Sequence, residues 1–375
     1  MLSFDYLNVL SDPIVALYEK YTQSVINDIA RRLAKMDMTA TAAWQIQRLT
    51  QSGLVYADAL DQLVIVTGRS ERELRKLFRD AGVKTMRFDD AIYRAAGLKP
   101  LPLNLSPSMQ NVLAAGLRKT GGLIKNLTMS TAIDAERIFT DAADLAYLQV
   151  TTGAFDYDTA IKQAVKTIAD KGLSTISYPG GRRDRLAVAM RRTVLTGVSQ
   201  TSGTLQITRM QEMGVNLIAV SAHVGARNQG VGPMNHESWQ GGVYSYVGSS
   251  KEYPSLVEVT GYGTGEGLLG WNCRHSIYPF FDGISKSAYK EAELESFADK
   301  MVTYNDEEMT VYEASQKQRA IERLIRKAKR QASALEAAGL DSSVPLVRVR
   351  KLQARMRDFI EQTGLRRQYA RERNE

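Results

Sequence analysis

The chain is poor in the residues that carry most reactive chemistry: its 375 residues include one cysteine, three histidines and three tryptophans. A single cysteine excludes an internal disulfide, so stability must come from packing and assembly in a chain made, and kept, reduced. No apolar run approaches the roughly 18 residues of a membrane-crossing helix. The opening MLSFDYLNVLSDP carries two acidic residues and no basic one, unlike a secretory signal. Prolines number nine, and three of them fall in GLKPLPLNLSP, residues 97–107, which marks the best boundary.

What is present is the balance of a soluble globular protein, 44% hydrophobic and 24% charged, long enough for two or three domains. The formal net charge of +8 is unevenly spread. Between Lys317 and Arg373, sixteen Lys and Arg face six Asp and Glu, and the rest is nearly neutral. Such a segment suits phosphates or an acidic protein surface.

Hydrophobic periodicity predicts a largely helical first half. Residues 12–36 open with Asp12 as cap and Pro13 as first helical residue, and Ile14, Leu17, Tyr18, Tyr21, Val25, Ile29 and Leu33 form one face. Residues 40–50 read as a second helix. Two further short helices are expected around Gly68 and Gly82, with Ser70 as cap and Glu73 at its third position. Helices are also expected over 108–152, 155–171 and 183–201, with GLSTISYPGG between the last two.

The texture changes at Val215. VNLIAVSAH, GGVYSYVG, LVEVTGYG and HSIYPFF are short β-prone runs between glycines. Helix resumes from about Glu307 to Gly339 and again over 346–362. The fold class is α+β: mainly helical N-terminal and middle regions, a small glycine-rich β-containing domain, and basic C-terminal helices. The expected units are a helical docking domain (1–96), a Pro-rich linker (97–107), a helical middle region (108–214), a β-rich His/Cys/Trp domain (215–290) and a basic arm (291–375).

His223, His236 and His275 lie in one 53-residue window with Cys273. Four such side chains form a potential zinc donor set, although their spacing matches no standard structural-zinc pattern. Cys273 as nucleophile with His223 or His236 as base and Glu237 as orienter is a second reading. General acid and base work by His223 with Glu237 or Glu266 is a third. The structural reading buries these groups as loop packing. Arg227 and Arg274 then tie loops together, while Trp239 and Trp271 cover the sheet. GYGTGEGLLG has neither a Walker lysine nor a dinucleotide fingerprint, so its glycines are not read as a phosphate cradle.

The order of these motifs resembles a known family. SAHVGARNQGVGPMNHESWQGGVYS, followed by YPSLVEVTGYGTGEGLLGWNCRHSIYPFFDGISKSAY, is similar to the central signature of minor capsid proteins of Gram-positive siphophages and prophages. His223, His236 with Trp239 and Gln240, and His275 in NCRHS, beside Trp271, Asn272 and Arg274, fall on matching positions. RRTVLTGVSQTSG and YEKYTQSVINDIARRL resemble the family's preceding helix and N-terminal segment. The likeness covers most of residues 14–290 and is most specific over 191–290. One departure is the longer NQGVGPM stretch.

The resemblance implies a non-enzymatic minor head protein, oligomeric in the virion, beside portal or major capsid subunits. It implies no obligatory cofactor, leaving zinc at the His/Cys group as the one candidate. Related modules are fused in places to enzyme domains, so a metal-dependent hydrolase or nuclease is the rival class. A soluble nonspecific DNA-binding accessory factor is the other. For DNA or an acidic partner the candidates are Lys317, Arg319, Arg323, Arg326, Lys327, Lys329 and Arg330, then Arg348, Arg350, Lys351, Arg355 and Arg357, and finally Arg366, Arg367, Arg371 and Arg373. Contacts of this type are nonspecific and salt-dependent.

Overall fold

The computed structural model describes residues 1–38, 41–177, 183–298 and 300–373. The SYPGG part of the GLSTISYPGG connection lies mostly outside them.

Ser3 caps α1 (Phe4–Val9) by accepting the Tyr6 N–H. Helix α2 (Asp12–Leu33) buries Ile14, Tyr18, Tyr21, Val25, Ile29 and Leu33, the face expected from their spacing. Asp12 is the first helical residue and not its cap. Its carboxylate instead accepts from Arg191 at 2.6 Å.

The short helices expected next are one continuous helix, α3 (Thr41–Ala95), 55 residues long. An interior glycine costs only about 1 kcal/mol against alanine. The buried line Val55, Ala59, Leu63, Leu74, Phe78, Ala81, Met86 and Tyr93 runs through both expected breaks and outweighs that cost. At Gly82 the missing side chain makes room for Leu113, whose Cδ2 lies 3.0 Å from where a Cβ would be. Ser70 caps nothing; it is buried mid-helix with its Oγ 3.0 Å from the Tyr18 hydroxyl.

Pro107 opens α4 (Pro107–Thr151) after the Ser106 cap, and Asp156 caps α5 (Tyr157–Lys171). Strands β1 (Ser174–Ser177) and β2 (Arg183–Arg185) pair antiparallel and lead into α6 (Leu186–Glu212). Helices α4 and α6 cross at a seam of small residues. A Cβ on Gly116 would overlap the Thr201 side chain, and one on Gly197 would overlap Thr120.

A three-stranded antiparallel sheet follows, with β3 (Leu217–Val220) between β4 (Val243–Ser245) and β5 (Ile277–Phe280). The expected strand in LVEVTGYG is instead a helix, α7 (Leu256–Thr260). Ser255 caps it and Gly261 ends it in the left-handed region at φ 63°, so terminal signals outweigh β propensity. After α8 (Glu291–Ala298), β6 (Met301–Tyr304) and β7 (Glu307–Thr310) form a hairpin that the expected helix start at Glu307 overlooks. Asn305 and Asp306 both take positive φ, the requirement of a tight hairpin turn. Thr310 and Glu313 then form a reciprocal capping box that starts α9 (Val311–Ala337), followed by α10 (Ser343–Thr363).

One apolar core collects side chains from Leu2 to Val198 and takes in Ala334 and Leu335 of α9. The first 96 residues, the middle helices and the basic arm therefore share packing. A second cluster under the sheet joins Tyr93 of α3 to Met210, Ile218, Trp239, Leu268, Cys273 and Ile277. Each such large side chain contributes about 1.5–3 kcal/mol on burial, which fixes the sheet against the ends of α3 and α6.

Candidate functional site

The histidine window is organised by backbone. Gly267 and Gly270 lie where a Cβ would strike the carbonyls of Gly261 and Gly265, so this glycine run packs chain on chain. The tight path presents the Glu266 carbonyl to His236 Nε2 at 2.8 Å and to Arg227 Nη1 at 3.4 Å. Arg227 also donates to the Trp271 carbonyl at 3.1 Å. His223 follows β3, His236 begins a short 3-10 turn, and Cys273 and His275 lead into β5.

The three rings meet around His275: His223 stacks on it with centroids 4.6 Å apart, and His236 meets it edge-on at 5.4 Å. Phe4 of α1 closes the stack on His223, and Trp239 packs against both His236 and His275. Oxygen acceptors fix the tautomers, because a carbonyl can only receive a hydrogen bond. His236 therefore carries its proton on Nε2, and His223 donates from Nδ1 to the Val224 carbonyl at 3.1 Å. Gln240 Oε1 accepts twice, from the His223 backbone N–H at 3.0 Å and from His275 Nε2 at 3.2 Å. His275 Nδ1 is left to accept the Cys273 thiol at 3.5 Å.

Burial holds the cluster neutral. Desolvation, with a smaller push from the Arg274 charge, lowers the His223 pKa to about 4 against the Val224 hydrogen bond. Desolvation lowers His236 to about 4 as well, opposed by the Glu266 carbonyl. His275 is held well below the ordinary histidine value by burial and then by its histidine and arginine neighbours. Burial raises the Cys273 thiol, so the group is a neutral donor, not a thiolate nucleophile. Of the orienters considered, Glu237 directs its backbone N–H to the Arg227 carbonyl at 3.0 Å.

The expected zinc set is partly assembled. The donor atoms of His236, Cys273 and His275 lie within 4.8 Å of one another, all in buried residues, and His223 is not in this group. Two nitrogens and one sulfur suit zinc by type. This triad can coordinate a metal. Arg227 and Arg274 supply positive charge beside it, which opposes a dication.

Trp239 is buried and donates to the Pro233 carbonyl at 3.1 Å, as a sheet-covering indole should. Trp271 departs from that expectation and is 53% exposed. Arg274 does tie loops, through Nη1 to the Asn272 carbonyl (2.9 Å) and Nε to Asn8 Oδ1 (3.3 Å). Asn272 itself occupies the left-handed region at φ 58°. The Phe4 and Asn8 contributions have no local signal, because they come from residues more than 200 positions away in the chain.

The basic residues divide by environment. Arg330 is buried and donates to the Ala169 carbonyl, Arg326 pairs with Glu19 at 3.5 Å, and Lys327 with Asp170 at 3.0 Å. Lys317 pairs with Glu307, and Arg367 with Glu372, both at 2.7 Å. Arg371 is buried against Asn8. Lys329 and Arg319 are half-buried. The exposed members are Arg323, Arg366, Arg373 and the α10 set Arg348, Arg350, Lys351, Arg355 and Arg357. No described helix is long and apolar enough to cross a membrane.

A jointly packed helical scaffold that carries a neutral, internally hydrogen-bonded His/Cys module suits a structural role. The chain belongs to the family described as phage minor capsid protein 2, whose model matches residues 2–361. It is similar to a structural protein of Lactococcus phage LL-H, at 23% identity over 363 residues, covering 92% of this chain and 93% of that one. It also resembles a structural protein of Lactococcus phage mv4, at 32% identity over 126 residues, covering 32% of this chain and 91% of the other. No solved structure matches. The protein is a virion-associated structural component.

Proposed function

We propose that this minor capsid protein is held in the phage head, after assembly in the host cytoplasm, by docking α3 against portal or major capsid subunits. The observation that carries this reading is a stripe on α3. Ile46, Leu49, Tyr56, Leu60 and Val64 are all exposed, between 37% and 69%. Their spacing places them within one narrow sector of the helix, over about 27 Å at 1.5 Å per residue. An exposed apolar line of this length marks an interaction surface. A stable specific contact buries about 1,200–2,000 Å² in total, and repetition around a portal or shell makes the protein part of an oligomeric assembly.

The α10 cations support contact with packaged double-stranded DNA. Arg348, Lys351 and Arg355 share one face and Arg350 and Arg357 another, all exposed. The docking and DNA-facing segments correspond to the units 1–96 and 291–375, joined through the shared core. Cryo-electron microscopy of purified particles tests both contacts. Density for the α3 stripe against a portal or shell subunit, with α10 towards the genome, is the expected result. A protein absent from purified heads that still binds DNA in low salt would instead be an accessory factor, and the docking proposal would fail.

A further inference from the structure

A cavity of about 890 Å³ opens between the histidine stack, α1, the β6–β7 hairpin and the C-terminal helices. Among the described residues its lining carries six cationic side chains, Arg227, Arg274, Lys300, Arg319, Arg366 and Arg371, against a single carboxylate, Asp5. Behind the wall stand Arg191 and Arg326. Asp12 is already paired with Arg191 and Glu19 with Arg326. Glu322 is buried among Arg191, Arg319, Arg326 and Arg371, one carboxylate shared by four guanidinium groups. The acids among the described residues do not neutralise this region.

Two arginines have donors to spare. Arg371 is 7% exposed, and Asn8 satisfies its Nη2, yet its buried Nε has no partner. Arg319 makes no hydrogen bond or ion pair among the described residues, although it lines the same cavity. An under-satisfied buried guanidinium is costly, and an anion in the cavity offsets that cost by its charge beside Arg371 and by accepting from the half-buried Arg319.

We propose that this cavity binds a phosphorylated small molecule of the mononucleotide class, with Arg319 and Arg371 holding the phosphate. Guanidinium forks match phosphate oxygens two at a time, which favours this anion over a monovalent one. The volume lies in the upper part of the about 300–1,000 Å³ range of small-molecule sites, so a bare phosphate leaves most of it unfilled. An organic group finds apolar wall at Val302, Val311 and Leu365, and a ring surface at Phe4, tilted against His223. The same chemistry is offered by a free nucleotide and by the phosphorylated end of a nucleic-acid strand.

Calorimetric titration of the full chain with AMP, adenosine and a 5′-phosphorylated trinucleotide tests the site. AMP should bind once per chain and about tenfold or more tighter than adenosine, a difference of at least about 1.4 kcal/mol. Arg319→Gln should lose that preference while still melting cooperatively, because it removes no hydrogen bond among the described residues and leaves Glu322 three of its four guanidinium neighbours. Arg323→Gln, exposed on the same helix and outside the cavity, should bind as the parent does. Trinucleotide binding that is lost in Arg319→Gln identifies the strand end as a source; trinucleotide exclusion with AMP bound identifies the free nucleotide. Failure of both phosphorylated probes to bind, equal affinity for adenosine, or equal weakening by both substitutions overturns the assignment.

Discussion

Arg371 donates through Nη2 to both the Oδ1 (2.7 Å) and the backbone carbonyl (3.0 Å) of Asn8, so the end of the described chain is bonded to its first helix. Asn8 Oδ1 also receives Arg274 Nε at 3.3 Å. One amide thus serves guanidinium groups from the C-terminal segment and from the His/Cys fold. Asn8→Ala should destabilise the chain by about 1–3 kcal/mol, the cost of leaving charged donors short of an acceptor. An unchanged urea midpoint would show that the junction is dispensable.

The glycines of the long helices differ sharply in what they allow. Gly197→Ala forces a methyl group into Thr120 at the α4–α6 seam and should cost about 1–3 kcal/mol. Gly53 in α3 is exposed and has nothing within 4 Å of the place a methyl group would take, so Gly53→Ala should stabilise by about 0.5–1 kcal/mol. Thermal unfolding of the two variants should therefore move in opposite directions.

Acid should weaken the fold through the buried imidazoles. His223 and His236 stay neutral in the folded chain down to about pH 4, while in the unfolded chain they protonate near 6.5. The unfolded state then binds more protons between those values. Stability is complete above that window and falls as pH drops through it, with a limiting slope of about 1.4 kcal/mol per pH unit for each proton. Asp89 works in the opposite sense. Burial raises its pKa to about 7 against the Gln206 hydrogen bond, so its contribution is lost as pH rises from about 4 towards 7. Urea midpoints across pH 4–7 should show a steeper acid loss in Asp89→Asn and a shallower one in His236→Gln. The reverse order contradicts these assignments.

Cys273 should behave as a small buried apolar side chain with one weak hydrogen bond. Alkylation of the native chain at pH 8 should be at least about 100-fold slower than that of a free thiol, because both access and thiolate are lacking. Metal analysis of the same sample should find zinc well below one equivalent. Stoichiometric zinc that disappears in Cys273→Ser would falsify the metal-free account of the triad.

Local signals made most of the fold legible. The face of α2, the helical span of α5, the three strands of the central sheet and the helix break within residues 97–107 all follow from spacing and terminal residues that act over a few positions. Sequence and structure part where distant packing outvotes a local sign. Gly68 and Gly82 read as stops, yet α3 runs through them because its neighbours bury one continuous face. The histidines and Cys273 are visible as a group, and Gln240 lies on a matching motif position, but the double acceptance by Gln240 is not visible. Nor is the division of the basic segment into Arg330 and Arg371 inside and the α10 cations outside, since periodicity carries no record of which carbonyl waits across the fold.

The unbroken course of α3 has a mechanical meaning. At about 1.5 Å per residue the helix is some 80 Å long, and near its start Trp44 stacks on Tyr147 while Arg48 grips Asp144. Near its end Tyr93 is sunk beneath the sheet and Asp89 receives Gln206. Between Val64, the last residue of the exposed stripe, and Tyr93 lie about 45 Å of rigid rod. On the docking proposed above, a tilt of about 5° at the stripe displaces the far end by about 4 Å at that length. On the proposed docking, the helix is a lever whose short arm carries the stripe and whose long arm ends beneath the sheet.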